Sequence, residues 1–424
     1  MKEFLIKLLK NKKKTTFKEI SFKNIQKETK ISKIFDAINS FNDESEIRYV
    51  GGCVRKILSG ENFDDIDLAT NLKPSDVKIA LEKNSINFFE TGVKHGTITA
   101  QIEKKNFEIT SLRKDVTTDG RHALVEFTKD WKEDSFRRDF SINSIYSDEE
   151  GNLFDPCDGV KDLKDGVIKF VGKPEHRIKE DYLRILRYLR FFVNYSKKDH
   201  DPEVKKVIKQ NIGGIINLSK ERLIEELMKL VLSSGFINIF KHNFSQDLLL
   251  LIFPQLKNLN IFKKLNKYSR SILYKKDFIF LLALLIIDET DNADYFLYKY
   301  KVSNETKKRV SFLKDFFGKN FDKKNFSIKN LEFLFYYHGK SNLIDLIDFY
   351  LLRYNKSNKK IIHLRSYFEK KEKPIFPVKT KDIMKKYNLK ESRELGQKLK
   401  KIEKVWVQNS FKISDNEIEK IFLN

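Results

Sequence analysis

The sequence predicts an α/β or α+β head followed by an all-helical remainder. Short β-like runs alternate with helical ones from residue 22 to about 150, apolar residues fall into helical periodicity from Arg177, and strand signals nearly vanish thereafter. A chain of 424 residues exceeds one compact core and implies two to four domains or a string of helical modules. Its 40% hydrophobic content, with 36 Phe, marks a folded protein despite 34% charged residues.

Residues 1–21 read as a basic extension. The run Phe4 to Leu9 is broken by Lys7 and lacks a small-residue cleavage site, so it is a poor signal peptide. Ile47 to Val50 reads as a strand ending at Gly51-Gly52, and Val54 to Leu58 begins a helix. Ile66 to Ala69 is a second strand. Pro74, preset for a first helical turn, opens a helix to about Lys83. Further strands follow at Thr97 to Ile102 and Phe107 to Leu112. From Arg177, the apolar residues Tyr182, Leu183, Leu186 and Leu189 to Phe191 recur at helical spacing. Ser219 is placed to cap a helix whose buried stripe is Leu223, Leu227, Leu230 and Val231. Leu281 to Ile287 is too short to span a bilayer and reads as a core helix. The run Lys371 to Lys379, with Pro374 and Pro377, is the best linker candidate.

Lysine and arginine (83) outnumber aspartate and glutamate (60), and the formal charge of +23 points to a polyanionic partner, most often nucleic acid. The excess is uneven: 44 basic against 39 acidic residues up to residue 230, then 39 against 21. A basic helical half suits an RNA backbone. Cys53 and Cys157 are too few for a disulfide scaffold, and no CxxC or Cys/His cluster suggests zinc, which fits a reducing cytoplasm.

The chemistry concentrates in Phe63-Asp64-Asp65-Ile66-Asp67. In a strand, residues i and i+2 share a face, so Asp65 and Asp67 project together while Ile66 turns into the core. Adjacent carboxylates repel unless a cation neutralises them, and hard oxygen ligands suit Mg²⁺. Taken alone, such a pair is weak evidence, since aspartate pairs are common at surface turns; its setting favours the site. Gly51-Gly52 lies between a strand and a helix, where backbone N–H groups can approach phosphate, with Arg55 on the first helical turn. No Gly-Lys-Ser/Thr follows, so it is not a P-loop. Glu108 alternates with apolar neighbours and is either a third carboxylate of the site or the exposed face of an edge strand. Asp139 and Asn143 share a face if their segment is helical, and Arg137 and Arg138 offer guanidinium forks to phosphate; a surface salt-bridge cluster has the same composition. Arg184, Arg187 and Arg190 recur every three residues after Glu180-Asp181 in a chain that otherwise favours lysine. Asp181 and Arg184, one turn apart, offer an acceptor and a forked donor to a base edge, although a solvated amphipathic helix also fits.

In this order and spacing the segments resemble the class II tRNA nucleotidyltransferases and the related bacterial poly(A) polymerases, from about Tyr49 to Leu232. Gly51-Gly52-Cys53-Val54-Arg55 matches the family's double-glycine motif and Asp65-Ile66-Asp67 its metal-binding pair. Thr110 to Arg113 through Gly120 to Ala123 matches the flexible loop, Arg137-Arg138-Asp139 with Asn143 the ribose-selecting motif, and Asp155-Pro156 to Asp162-Leu163 the hinge. Glu180-Asp181 with Arg184 matches the templating motif, and Ser219 to Glu226 the helix that braces it. Lys56 stands where the family usually has aspartate, and Ser144 where alanine is usual.

The resemblance implies an α+β protein whose nucleotidyltransferase head, residues 22–150, holds a mixed five-stranded sheet. A nucleotide-selecting neck (151–232), a helical body (233–370) and a tail (371–424) would follow, the last two gripping the acceptor and TΨC arm of tRNA. Asp65 and Asp67 would hold two Mg²⁺ ions, with Glu108 as third catalytic carboxylate. Asp181 and Arg184 would pair with incoming CTP or ATP, and Arg55, Arg138, Arg187 and Arg190 would bind triphosphate. Gly51, Gly52, Arg113, Arg137, Asp139 and Asn143 complete the nucleotide site. The expected reaction is addition of CCA to tRNA 3′ ends by a cytoplasmic enzyme with neither membrane nor protein partner. Poly(A) synthesis, partial CC or A addition, and non-catalytic RNA binding are the alternatives. The C-terminal stretch lacks the arginine-rich extension common in poly(A) polymerases of this type.

Overall fold

The computed structural model describes residues 22, 25, 29–62, 65–92, 96–118, 123–317, 326–354 and 358–423. The expected extension at 1–21, Phe63-Asp64 and the loop residues Gly120-Arg121-His122 therefore lie outside the described residues. The chain divides into two compact units, Met1–Ile252 and Phe253–Asn424.

The first unit opens with α1 (Ser32–Asn39), β1 (Ile47–Val50), α2 (Gly52–Ser59), β2 (Asp67–Thr70), α3 (Pro74–Lys83), β3 (Asn87–Gly92), β4 (Thr97–Ile102) and β5 (Lys105–Ser111). A hairpin of β6 (Arg113–Thr118) and β7 (Ala123–Phe127) follows, then α4 (Trp131–Phe136), β8 (Tyr146–Ser147) and β9 (Leu153–Phe154). The main sheet has the order β3-β4-β5-β2-β1-β8-β9 and is mixed: β2 and β5 run parallel and the other neighbours antiparallel. The α+β class is as expected, but the sheet has seven strands rather than five. Two-residue strands such as β8 and β9 are too short to show a period-2 signal. The hairpin occupies sequence read as flexible loop.

Alternation along the strands sorts the two faces of the sheet. Ile47, Tyr49, Leu68, Ile98, Ala100, Phe107 and Ile109 pack with Phe35, Val54 and Val77 of the three helices into the main core. The opposite face carries a smaller cluster of Val50, Ala69, Leu112, Trp131 and Tyr146. By the same parity Asp67 and Glu108 belong to that second face.

The rest of the first unit is helical: α5 (Gly159–Asp165), α6 (Pro174–Glu180), α7 (Leu183–Tyr195), α8 (Pro202–Asn211), a 3₁₀ turn at Ile212–Asn217, α9 (Lys220–Val231) and α10 (Asn243–Ile252). Ser219 caps α9 by accepting from the Arg222 N–H, and Leu223, Leu227, Leu230 and Val231 are its buried stripe, as expected. Two helical readings are corrected. Asp139 to Asn143 is not an α-helix: Phe140 bridges to Phe170 in extended conformation, and only Ser141–Asn143 turns, as 3₁₀. The stretch from Arg177 to Arg190 is not one helix either, because Asp181 is extended (φ −154°, ψ 105°) and separates α6 from α7.

Among its described residues the second unit is helical: α11 (Lys267–Leu273), α12 (Phe278–Ile286), α13 (Asn292–Lys299), α14 (Asn304–Phe316), α15 (Ile328–Tyr354), α16 (Lys359–Lys370), α17 (Thr380–Tyr387), α18 (Arg393–Gln408) and α19 (Asp415–Leu423). Phe280 to Ile286 of α12 are all buried, as a core helix requires. Asp345 and Asp348 are buried too, and Lys276 pairs with both at 2.8 and 2.7 Å while Arg309 and Arg365 take one each. Residues 371–379 carry no regular structure. Among the described residues no helix is long and apolar enough to cross a membrane.

Candidate active site

Asp67 begins β2, and Glu108 is its register partner on the parallel strand β5. Side-by-side pairing puts their side chains on the same face of the sheet. Asp65 lies two residues earlier, exposed and ahead of the strand rather than inside it, while Ile66 packs against the main core as expected. The Asp67 carboxyl is held above the ordinary carboxylate range. Burial is the main cause and repulsion from Glu108 the next, with Asp65 adding to it and the positive field of Arg138 and Arg55 opposing it. Among the described residues no donor hydrogen-bonds or ion-pairs with this carboxylate, and no three His, Cys, Asp or Glu side chains form a ready-made metal cage.

Gly51 joins β1 to α2 with φ +69° and ψ −118°, a conformation that glycine adopts without strain. A Cβ there would meet Arg138 Nη1 at 3.5 Å, an ordinary van der Waals contact, so the backbone conformation and not space calls for glycine. Gly52 is the first residue of α2, and the place of its missing Cβ is open, with no atom within 4 Å. From the same helix the buried Arg55 donates to the Asn143 side-chain oxygen and lies over Phe191 (4.9 Å) and Tyr195 (5.1 Å).

Asn143 donates to Asp139 Oδ1 at 2.9 Å, so the two meet as expected although no helix joins them. Asp139 Oδ2 accepts both Nε and Nη2 of Arg187. Burial would raise the Asp139 carboxyl, but the Arg187 charge and the hydrogen bonds from Asn143 and Arg187 outweigh it and hold it at about 2. Glu226 of α9 is buried and pairs with Arg190, with Arg187 4.0 Å away. Arg55, Arg187 and Arg190 all lie against the Phe191 ring, at 4.9, 5.6 and 4.3 Å. Three guanidinium groups around one ring, faced by two carboxylates, leave a net positive cluster.

The base-reading candidates sit at the break between α6 and α7. Asp181 Oδ1 accepts from the Leu183 N–H at 3.1 Å, and its Oδ2 accepts from Arg222 at 2.7 Å. Arg184 donates from Nη1 to Glu180 at 2.6 Å and to the Arg177 carbonyl at 2.8 Å. Both groups are therefore held in place by neighbouring groups of the chain.

Arg137 and Arg138 are both paired with a residue to which the sequence reading gave no role. Asp134, fully buried, takes Arg137 at 2.7 Å, Arg138 at 3.0 Å and the Tyr146 hydroxyl at 2.7 Å. It also accepts from the backbone N–H of Arg113 at 3.2 Å, which ties the first residue of β6 to this cluster. Its spacing of three and four residues from the two arginines was the available signal. Arg177, likewise overlooked, is buried and donates to the carbonyls of Arg137 and Arg138, joining α6 to the ribose-motif segment. No sequence pattern announces that contact, which spans about forty residues.

Known proteins share both sequence and fold with this chain. Residues 47–169 match the model of the Poly A polymerase head domain, and residues 200–259 that of the probable RNA and SrmB-binding site of polymerase A. The chain is similar to the human mitochondrial CCA tRNA nucleotidyltransferase 1, with 32% identity over 391 residues covering 89% of this chain and 86% of the relative. It is also similar to the CCA-adding enzyme of Lactococcus lactis subsp. cremoris strain SK11, at 29% identity over 87% and 89%. Among solved structures, the Bacillus stearothermophilus CCA-adding enzyme in complex with CTP shares the fold at a TM-score of 0.67 and 21% identity, covering 90% and 93% of the two chains. A tRNA nucleotidyltransferase complexed with a primer tRNA and an incoming ATP analog shares it at 0.58 and 24%, covering 77% and 96%.

Proposed function

The chain belongs to the CCA tRNA nucleotidyltransferases, and from that premise we propose that it adds C, C and A to tRNA 3′ ends from CTP and ATP with release of pyrophosphate. The observation that carries the reading is the register pairing of Asp67 with Glu108, with Asp65 close enough to repel Asp67. Such a concentration of carboxylates is relieved by divalent cations, and their hard oxygens fit Mg²⁺, which takes one or two protein carboxylates and completes its shell with phosphate and water. Asp65 and Asp67 would hold two such ions, which when bound supply electrostatic stabilisation of charge at the reacting phosphate.

The remaining steps belong to the chain's own side chains. Gly51 and Gly52 let the start of α2 approach the triphosphate, and Arg55, Arg138, Arg187 and Arg190 neutralise it. Arg113 and Arg137, tied to Asp134, border the same site. Asp139 and Asn143, already bonded to each other, recognise the ribose hydroxyls. Asp181 and Arg184 present an acceptor and a donor fork to the base, so protein takes the place of a template strand. The boundaries proposed are a head to residue 150, a neck to 232, a body to 370 and a tail beyond, with the body and tail binding the tRNA arms. The compartment proposed is the cytoplasm, where the free thiols Cys53 and Cys157 fit.

Incubating the protein with Mg²⁺, CTP and ATP, one of them labelled, and a tRNA lacking its 3′ end tests the reading. Three nucleotides added and no more is the expected result. Long A tracts without C would indicate a poly(A) polymerase, and no incorporation a non-catalytic RNA binder. The Asp67→Ala variant should lose the several kcal/mol of charge stabilisation tied to the cations, a fall of at least about a hundredfold. Full activity in that variant would sink the metal assignment.

A further inference from the structure

One short segment makes two contacts with the turn that carries Asp181. Gly214 lies in the 3₁₀ turn Ile212–Asn217, and the position a Cβ would take there is 2.1, 2.2 and 2.3 Å from three ring atoms of Tyr182. The Tyr182 ring therefore rests directly on the Gly214 backbone, an approach that any side chain would block. Eight residues further on, Arg222 of α9 donates to Asp181 Oδ2 at 2.7 Å. Tyr182 itself is the N-cap of α7, it directly follows the extended Asp181, and the Arg184 N–H bonds to the Asp181 carbonyl at 3.0 Å. The ring seat is thus one residue from the proposed base acceptor and two from the proposed donor. The neighbouring Gly213 makes no such approach, for the place of its Cβ has no atom within 4 Å.

We infer that Gly214 is a positioning residue for nucleotide choice: by seating the Tyr182 ring it sets where Asp181 and Arg184 aim. The inference rests on the base-reading role proposed above for those two residues. Discrimination between C and U, or A and G, depends on where donors and acceptors stand, while triphosphate binding depends on the arginines around Phe191. A displacement of about 1 Å at such a point costs up to about a hundredfold. The Gly214→Ala substitution should therefore lower selectivity for CTP over UTP and for ATP over GTP by roughly ten- to a hundredfold, with a smaller change in kcat for CTP.

The test is kcat/KM for all four nucleotides on tRNA lacking its 3′ end, with the full chain carrying Gly213→Ala, Gly214→Ala, Tyr182→Ala, Gly214→Ala with Tyr182→Ala, or Arg184→Ala. Gly213→Ala should match the parent, and Gly214→Ala and Tyr182→Ala should each lose selectivity. The double variant, where removal of the ring makes room for the methyl group, should lose no more than Tyr182→Ala alone. If Gly214→Ala does not fold, Tyr182→Ala carries the test, since unchanged selectivity there overturns the seat. Unchanged selectivity in Gly214→Ala, a proportional loss across all four nucleotides, or an equal loss in Gly213→Ala also overturns it. Intact selectivity in Arg184→Ala sinks the base-reading role itself, whereas loss there with intact selectivity in Gly214→Ala sinks only the seat.

Discussion

At the scale of single residues, Asp67 of the acidic pair stands in register beside a further carboxylate, Glu108. Glu108 had two readings in the sequence, site member or edge-strand exposure; β5 lies inside the sheet, so it is no edge strand, while the Glu108 side chain beside Asp67 is exposed. If Glu108 helps activate the attacking hydroxyl, Glu108→Gln lowers the single-turnover rate about 10²- to 10⁴-fold. The same change removes a charge that raises Asp67, so the acid limb of any residual pH–rate profile moves to lower pH. A rate equal to the parent's would return Glu108 to a structural role. That Asp67 lies in a strand and Ile66 turns toward the core was legible from spacing, whereas Asp65 stands ahead of the strand. Asp134 carried a local signal in its i+3 and i+4 arginines that the sequence reading did not use, whereas nothing local announces Arg177, whose carbonyl partners lie about forty residues away.

At the scale of elements, two contacts decide how helices meet. A Cβ on Gly159, at the start of α5, would lie 2.1 Å from the Ser141 carbonyl oxygen, so α5 packs on the 3₁₀ turn through bare backbone. Overpacking of this kind costs roughly 1–3 kcal/mol, and Gly159→Ala should lower the thermal midpoint accordingly. His200 is buried, stacked on Phe192, and bridges the Tyr188 hydroxyl (2.9 Å) of α7 to Ser245 (2.7 Å) of α10. Burial first, then the nearby His242 and Lys205, push its pKa down to about 3, well below the ordinary 6.5. A histidine whose folded pKa is depressed contributes stability that is complete above its unfolded pKa and lost as pH falls toward the folded one. Urea unfolding should therefore show about 2 kcal/mol less stability at pH 5 than at pH 7, and His200→Phe should remove that difference. A pH dependence unchanged by the substitution would contradict the assignment. The helix starts at Pro74 and Ser219 were legible because proline and cap chemistry act within one turn. The break at Asp181 was not, since both sides have helical spacing and only the bonds to Arg222 and Leu183 show the turn between them.

At the scale of the whole molecule, charge sets the partner and topology assembles the site. With +23 formal charges, most of them gained after residue 230, binding of the tRNA backbone should weaken steeply with salt. A filter-binding series is expected to give a linear fall of log affinity against log salt, with a slope of several units. A flat response would contradict phosphate-dominated binding. The sequence by itself determined the class of fold, the polyanionic partner and the residue types of the chemistry, because periodicity, charge and short motifs act over a few residues. Only the tertiary structure decided that β2 lies parallel to β5, that Arg187 reaches Asp139, and that Glu226 faces two arginines of α7. Those are long-range pairings, set by which buried surfaces and charges satisfy one another across the fold, and no local spacing encodes them.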